Sequence, residues 1–487
     1  HDRIQGMVQN RPDWCISRQR LWGVPITVLY CEACAHQITT PEFFERVVAA
    51  FREEGADAWF EREPKDLLPE GFTCPKCGGV EFRKEFDILD VWFDSGSSHL
   101  AVLAQRPELS WPCAVYMEGH DQHRGWFQSS LLIGTGVEGA APFERVVTCG
   151  FVVDDKGRKM SKSLGNVVAP QEVIQQHGAD ILRLWVAMID YRDDMAISRE
   201  ILSRIADAFR KIRNTARFLI MNLDDFEPST DAVAEGDLEP LDRWILHRAH
   251  TTFQRARQAY EEFEFHGVYH RVLDFCTVDV SALYLDIAKD RLYVEASDSR
   301  SRRSAQTALY RIAEGLASVV APILAFTAEE IYEHLPGARE ASVHLTSFPE
   351  ASVELDRATM ESWTRLFTLR EAVTRVLEKH RAAGEIGHSL EADIELVGNF
   401  ALETLLGGIR TDLAKLFIVS HVEIVPASSE TSGLERIELA GIGAIGVRVK
   451  PARGNKCGRC WHYREEVGAE GELCARCQSI VAGQGPA

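Results

Sequence analysis

Gly157-Arg158-Lys159-Met160-Ser161-Lys162-Ser163-Leu164-Gly165-Asn166 packs three cations and two hydroxyls between Arg158 and Ser163 and closes on Gly-Asn, a turn or cap signal. Such a segment makes a mobile cationic arm suited to a polyphosphate that gains charge during reaction. A solvated basic loop is the plainer alternative for the charges alone. Working outward, short apolar runs such as Val146-Val147 and Phe151-Val152-Val153 alternate with helix-like segments from Phe86 to about Tyr191. That alternation predicts part of an α/β sheet.

Beyond Ile197 the rhythm becomes helical. Ile201, Ile205, Ala208 and Ile212 recur at steps of four, three and four, as do Ala249, Phe253, Ala256, Tyr260 and Phe263. Ala305, Leu309, Ile312, Leu316, Val319 and Ile323 form a third stripe, so the region reads as an antiparallel bundle. Asp224 to Pro240 reads as an interhelical loop, and Leu366 to Arg381 as a further helix. Short β-like runs at Ile394–Val397, Val422–Val425 and Ile445–Val449 surround a helix expected from Ala401 to Leu416. The fold class is therefore multidomain, α/β plus all-α. The expected divisions are 1–196 (with a cysteine-rich insert at 31–79), 197–370, a small α+β unit at 371–453, and a tail at 454–487.

At 487 residues, 45% hydrophobic and 26% charged, the chain has the size and composition of a soluble globular protein of roughly three domains. The longest apolar run, Leu316 to Phe326, is short and contains Pro322, so no bilayer span is expected. The start, His1-Asp2-Arg3-Ile4, has neither a signal-peptide core nor an initiating Met, which reads as a processed chain or a fragment with a cytoplasmic location. A net charge of −19 argues against indiscriminate nucleic-acid binding. It leaves room for a shaped RNA met by local basic patches, with Arg199–Arg217, Arg300–Arg303 and Lys450–Arg459 as candidates against solvated helix faces.

Eight of the twelve cysteines fall in four Cys-x-x-Cys pairs, a spacing that reads as metal ligation. Cys457, Cys460, Cys474 and Cys477, with thirteen residues between the pairs, can close a tetrahedral structural zinc site in a tail that has little other core. Lys456, Arg459, His462 and Arg464 around it would suit RNA phosphates, or serve solubility alone. Cys31, Cys34, Cys74 and Cys77, separated by thirty-nine residues, form a second candidate, with His36 an incidental neighbour or a competing ligand. The two double pairs differ too much in spacer to read as copies.

Trp92 lies in Asp90-Val91-Trp92-Phe93-Asp94-Ser95-Gly96-Ser97. Tyr116-Met117-Glu118-Gly119-His120-Asp121-Gln122-His123-Arg124-Gly125-Trp126-Phe127 sets two carboxylates, two histidines, an amide and an arginine beside two glycines. Carboxylates accept from ammonium and hydroxyl groups and aromatic walls hold hydrocarbon, the mix needed to grip an amino group, a ribose and an apolar side chain. Single tryptophans are more often core residues.

The pentapeptide Lys159 to Ser163 is similar to the second ATP-binding motif of class I aminoacyl-tRNA synthetases. Arg11-Pro12-Asp13-Trp14-Cys15-Ile16-Ser17-Arg18-Gln19-Arg20-Leu21-Trp22-Gly23-Val24-Pro25-Ile26, the tail motif Lys456-Cys457-Gly458-Arg459-Cys460-Trp461-His462-Tyr463, Gly178-Ala179-Asp180-Ile181-Leu182-Arg183 and the run from Phe275 to Arg291 resemble bacterial isoleucyl-tRNA synthetases. The resemblance implies a Rossmann-like catalytic part, a helical anticodon-binding domain and a zinc-binding tail. It implies isoleucine, ATP with Mg and tRNA-Ile as partners, and a monomer when full length. It assigns Lys159, Met160, Ser161, Lys162, Ser163, Asp121 and Gln122 to ATP, with Lys159 and Lys162 catalytic. Glu118, Gly119, Asp121, Gln122, Trp92 and Trp126 would meet the isoleucyl-adenylate. Valine and leucine ligases, or a non-catalytic tRNA-binding module, are the alternatives. Cys149-Gly150-Phe151 departs from the family's usual His-Gly-Phe, which bears on adenine packing. A His-x-Gly-His motif upstream of the loop and the editing insert are missing; Ile386-Gly387-His388 is a decoy, since Glu385 stands where the first His belongs. The chain thus reads as the C-terminal half of an enzyme roughly twice as long, inactive alone.

Overall fold

A computed structural model describes residues 2–20, 22–350, 353–398, 400–408, 412–426, 433–440 and 442–483. They gather into two units, His1–Phe151 with Tyr191–Asp194, and Val152–Asp190 with Met195–Ala487. Leu21 of the Arg-x-Trp-Gly segment and 409–411 of the expected Ala401–Leu416 helix lie outside the described residues.

In the first unit, β1 (Leu29–Cys31), β2 (Gln37–Ile38) and β3 (Phe82–Lys84) form an antiparallel sheet with β1 central. Helix α1 (Pro41–Glu54) has proline in its first turn and Thr40 as N-cap, whose hydroxyl accepts from the Phe43 amide. Its apolar face presents Phe43, Val47 and Ala50 to a core of Leu29, Ile38, Trp59 and Leu67. Phe43 is fully buried there, so truncation to alanine would cost about 3–5 kcal/mol.

Helix α2 (Val91–Gly96) starts on Asp90. Beyond it, β4 (Cys113–Gly119), α3 (Trp126–Glu138) and β5 (Phe143–Cys149) make a strand–helix–strand crossover. The two strands pair in parallel, Tyr116 opposite Val146 and Gly119 opposite Cys149. Of the alternating apolar runs, Val146-Val147 falls in β5.

In the second unit, β6 (Val152–Val153) and β7 (Met195–Ala196) also pair in parallel, with α4 (Pro170–His177) and α5 (Ala179–Met188) between them in sequence. The helical region follows as α6 (Arg199–Met221), α7 (Pro240–Glu261), α8 (Phe265–Asp274), α9 (Leu285–Val294), α10 (Arg300–Val320), α11 (Ala325–Glu333) and α12 (Arg357–Ala382). Leu309, Ile312, Leu316 and Val319 are fully buried, as their stripe predicts. Within α6, Leu202 rather than Ile201 joins Ile205, Ala208 and Ile212 in the core. Between α8 and α9 the helix widens into a π stretch, Phe275–Tyr284, where the Thr215 hydroxyl lies 2.9 Å from that of Ser281 and donates to the Cys276 carbonyl. At the bundle's centre the fully buried Asp242 carboxylate accepts from Arg291 (2.5 and 2.8 Å), Tyr284 (2.7 Å) and Ser304 (2.5 Å). Every lone pair of that carboxylate has a donor, the condition for a tolerable buried charge.

Three expectations change. Asp224–Pro240 is not wholly loop: Pro228–Asp231 and Glu235–Asp237 are helical turns, and Pro240 opens α7, where a missing N–H costs nothing. The helix expected at Ala401–Leu416 is two, α13 (Phe400–Gly408) and α14 (Leu413–Phe417), because Gly407-Gly408 weakens it and Asp412 caps a new start, accepting from the Ala414 and Lys415 amides. The basic patches are largely consumed internally. Arg213 pairs with Glu330, Arg300 with Asp237, Arg302 bidentately with Asp225, Lys450 with Glu395 and Arg453 with Asp393.

The small unit is a four-stranded sheet, β8 (Ala392–Gly398), β9 (His421–Pro426), β10 (Glu435–Leu439) and β11 (Gly443–Pro451), in the order β9-β8-β11-β10. Only β8 and β9 run parallel. The tail adds β12 (Asn455–Lys456), β13 (Tyr463–Arg464) and α15 (Ala475–Gly483). Among the described residues no helix is long and apolar enough to cross a membrane.

Candidate active site and metal centres

The C-terminal end of β4 gathers the first set of site residues, where parallel strands usually present ligand-binding groups. After Gly119 the chain makes a tight helical turn, His120–Arg124, before α3. The Gln122 side-chain oxygen accepts from the Trp126 amide at 3.0 Å and so caps α3. The Trp126 indole N–H donates to the Ser95 carbonyl (3.0 Å), and its ring stacks on Tyr116 at 4.2 Å and 9°. Trp92 lies against the α3 start so closely that a Cβ on Gly125 would sit 2.9 Å from its ring and 2.5 Å from the Gln122 oxygen. A Cβ on Gly119 would meet the Asp121 carboxylate at 2.7 Å. Glu118 and Asp121 are exposed, Trp92 and Trp126 partly so, giving a polar rim beside aromatic walls.

Beneath this rim Asp90, nearly buried, accepts from the Trp14 indole (3.0 Å), the Trp92 amide (3.0 Å) and the Arg18 guanidinium. Burial would raise its carboxyl pKa, but these three donors outweigh it and hold the group ionised. Asp90 thereby ties the Arg11–Ile26 segment to the tryptophan-bearing helix. The Cys149 thiol is pushed up by burial and by the Glu118 and Asp121 carboxylates, so it stands protonated beside them. Phe151 meets the His120 ring edge-on at 4.6 Å. Gly150 admits no side chain, since a Cβ would fall 2.2 Å from the Asp193 carbonyl oxygen.

In the second unit the cationic loop hangs from one buried carboxylate. Asp154 accepts from the amides of Lys156 (3.0 Å) and Arg158 (2.8 Å), from Arg158 Nε (2.8 Å) and from Asn166 Nδ2 (3.0 Å). The Asn166 amide, followed by the Arg158 donors, holds its pKa far below the usual carboxylate range. Asn166 also accepts from the Ser161 amide at 2.9 Å, closing the loop's base. The Ser161 hydroxyl accepts from the Leu164 amide, and the turn Lys162–Leu164 ends on Gly165 at φ +64°, where a side chain would be strained. Lys159, Lys162 and Ser163 remain exposed, Met160 half-buried, and neither lysine pairs with a carboxylate among the described residues. Asp154, Asp90 and Tyr116 are the residues missed by sequence reasoning. Asn166 after Gly165 was the one available hint of a side chain that folds back to close the loop.

Both cysteine quartets assemble, each with its four sulfurs within 4.8 Å of one another. Cys31 and Cys77 are 3.6 Å apart, Cys34 and Cys74 3.6 Å, Cys460 and Cys474 3.8 Å. Tetrahedral zinc with bonds of about 2.3 Å needs sulfurs about 3.8 Å apart, so both donor sets fit that ion and are too open for disulfides. His36 is no part of either cluster. The knuckle turn is the same in three places. The Cys31 amide donates to the His36 carbonyl and Ala35 is left-handed (φ +53°). Cys74 donates to Gly79 with Gly78 at +74°, and Cys457 to His462 with Trp461 at +64°. Around the tail site, Arg459 donates to the Val294 carbonyl, Arg464 to Ser420, and His462 is buried. Of the residues expected to suit RNA phosphates, these three face inward; Lys456 lies over the Trp461 ring.

Three families match in order along the chain. "tRNA synthetases class I (I, L, M and V)" covers residues 1–198, "Anticodon-binding domain of tRNA ligase" 242–396, and "Zinc finger found in FPG and IleRS" 454–480. The proteins named isoleucine–tRNA ligase in Geobacter sulfurreducens, Syntrophotalea carbinolica and Carboxydothermus hydrogenoformans are 49%, 51% and 51% identical over 99% of the chain. The chain spans about half the length of these relatives, 52% of each. Among solved structures, the LeuRS of Agrobacterium radiobacter K84, in a ternary complex with tRNA and LeuAMS, superposes with a TM-score of 0.54 at 17% identity, covering 92% of this chain and 53% of that one. That likeness speaks for the fold alone. With the Lys-Met-Ser-Lys-Ser loop intact, the three families matched in sequence order and both cysteine quartets assembled, residues 1–198 are similar to the class I tRNA synthetases of the isoleucine, leucine, methionine and valine group.

Proposed function

We propose that the protein carrying this chain is an isoleucine–tRNA ligase. The observation that carries the reading is the pairing, in one chain, of an exposed Lys-Met-Ser-Lys-Ser loop anchored on Asp154 with a four-cysteine tail of the type described as found in IleRS. Isoleucine's carboxylate would attack the α-phosphate of ATP in line, releasing pyrophosphate, and a tRNA-Ile ribose hydroxyl would then attack the adenylate and release AMP. No enzyme nucleophile is needed; the protein positions and neutralises charge. Lys162, with Lys159, would counter the phosphate charge that Mg leaves uncompensated, while Met160, Ser161 and Ser163 shape the loop. Asp121 and Gln122 would meet the ribose, and Glu118 and Gly119 the adenylate. Trp92 and Trp126 would wall the isoleucine side chain, held by the Gly125 contact and the Ser95 hydrogen bond.

Residues 1–196 would form the catalytic part, 197–370 the anticodon-binding part, 371–453 a junction and 454–487 the zinc tail. Four thiolates leave a zinc ion no open position, so its role would be structural. Isoleucine-dependent ATP–pyrophosphate exchange by the full-length protein tests the reading. Exchange should respond to isoleucine far more than to valine or leucine, and Lys162→Ala should lower its kcat by about 10²–10³. Exchange driven equally by leucine, or unaffected by Lys162→Ala, would sink the substrate or the catalytic assignment respectively.

A further inference from the structure

Helix α5, the second helix after the cationic loop, grips the bundle at one corner through Asp180 and Arg183. Asp180, 5% exposed, has no cationic partner at hydrogen-bonding distance among the described residues; its carboxylate accepts from the Phe326 amide (3.3 Å), the Thr327 amide (2.7 Å) and the Thr327 hydroxyl (2.6 Å). These are the unsatisfied donors at the start of α11, where a negative charge is favoured. One turn on, Arg183 donates from Nε to the Ile323 carbonyl (2.8 Å) and from Nη2 to the Pro322 carbonyl (2.7 Å), just past the end of α10. Anion and cation thus take opposite helix termini of one corner, across about 140 residues of sequence. The same helix α5 carries Trp185, whose indole donates to the Ala196 carbonyl of β7 at 3.0 Å. Strand β7 pairs with β6, the Ile197 amide donates to the Val153 carbonyl, and β6 runs straight into Asp154. A continuous hydrogen-bonded route therefore joins the α10–α11 corner to the carboxylate from which the loop hangs.

We infer that Asp180 and Arg183 are positioning residues that make the placement of the Lys159–Ser163 loop depend on the α10–α11 corner of the bundle. This rests on the ligase reading for its purpose, since a tRNA seated on the bundle would thereby bias the loop, but the mechanical coupling stands or falls by itself. A staple that merely holds the bundle together would show no effect at the loop.

The test uses this chain with Asp180→Ala, Asp180→Asn, Arg183→Met and Thr327→Val, and reads two quantities without RNA: hydrogen exchange at the Phe326 and Thr327 amides, and the trypsin cleavage rate after Lys159 and Lys162. Asp180→Ala removes all three of the carboxylate's hydrogen bonds and should speed loop cleavage about tenfold, the worth of one charge-assisted bond transmitted to the loop. Asp180→Asn, which keeps an acceptor oxygen, should restore most of the protection, and cleavage after Lys65 in the first unit should stay constant. Faster exchange at Thr327 with unchanged loop cleavage overturns the inference. Should Asp180→Ala fail to fold, Thr327→Val and Arg183→Met carry the same comparison. Adding tRNA-Ile should then slow loop cleavage in the unaltered chain and not in Arg183→Met. If it slows neither, the ligase reading loses its RNA, while the cleavage rates measured without RNA still decide the coupling.

Discussion

The two cysteine quartets use the same knuckle turn and differ in what surrounds it. In the insert, Cys31 and Cys74 are buried, Cys34 is half-buried and Cys77 exposed, and a separate core of Phe43, Val47, Trp59 and Leu67 stands beside the cluster. In the tail all four cysteines are buried, and their apolar company is only Val467, Leu473 and Val294 from the bundle. The tail is docked rather than self-supporting. Arg476, between Cys474 and Cys477, grips Asp290 of α9 bidentately at 2.7 and 2.8 Å. One site decorates a fold that has other means of holding itself; the other is the fold. A donor set alone does not say which.

The largest expected effect separates them by substitution. Cys457→Ser should abolish metal binding in the tail and with it the order of residues 454–483, because metal-binding free energies of about 10 kcal/mol are folding free energy in such segments. Cys77→Ser should lose its ion while α1 keeps its hydrogen-exchange protection. A protected tail without metal, or a melted α1, would erase the distinction.

Acid should sharpen the same contrast. Within each quartet the thiols share their protons: backbone amides and neighbouring thiols overcome burial to hold Cys457 and Cys74 below the ordinary value of 9, while Cys460 and Cys77 are pushed above it. A lowered thiol favours the thiolate above its folded pKa, so the stabilisation is present at high pH and is lost as pH falls through that value. With Cys77 exposed and all four tail cysteines buried, the insert should release its metal at a higher pH than the tail, read with a chromogenic chelator. Release in the reverse order would count against the assignment of Cys77 as the open side of the insert.

Next in size, Arg476→Met should leave the tail's metal content intact but loosen its dock, at a cost of about 1–3 kcal/mol in thermal unfolding. Metal lost together with the dock would mean the two are one structure. The smallest effect concerns the left-handed residue of the turn. Ala35→Gly should stabilise the insert by about 0.5–1 kcal/mol, since glycine takes that conformation without a Cβ penalty. Destabilisation there would show that the Ala35 methyl packs usefully.

Periodicity and spacing disclosed the helical stripes, the cationic loop and the cysteine quartets because each is written in near neighbours. What was hidden depends on distant partners. Arg302 looked like part of a basic patch, yet its partner Asp225 lies 77 positions earlier. Asp154 looked like one acid among many until four donors were seen to converge on it. The π stretch at Phe275–Tyr284 has no compositional mark, since a π turn differs from an α turn only in which carbonyl each amide chooses. The break at Asp412 could have been read, because a glycine pair followed by an aspartate is a stop and a start.

The knuckle turn is portable. Six residues beginning at Cys31, Cys74 or Cys457 close their own backbone through one amide and one left-handed residue, without help from the intervening chain. Half a metal site is thus a cassette, and the segment between it and the second cysteine pair is free to lengthen. The tail leaves thirteen residues there and the insert thirty-nine, enough to have acquired β2, α1 and a core of its own. Seen this way, the spacer is where such a protein can grow: a graft between Cys34 and Cys74 would extend the insert and leave its sulfur cage alone.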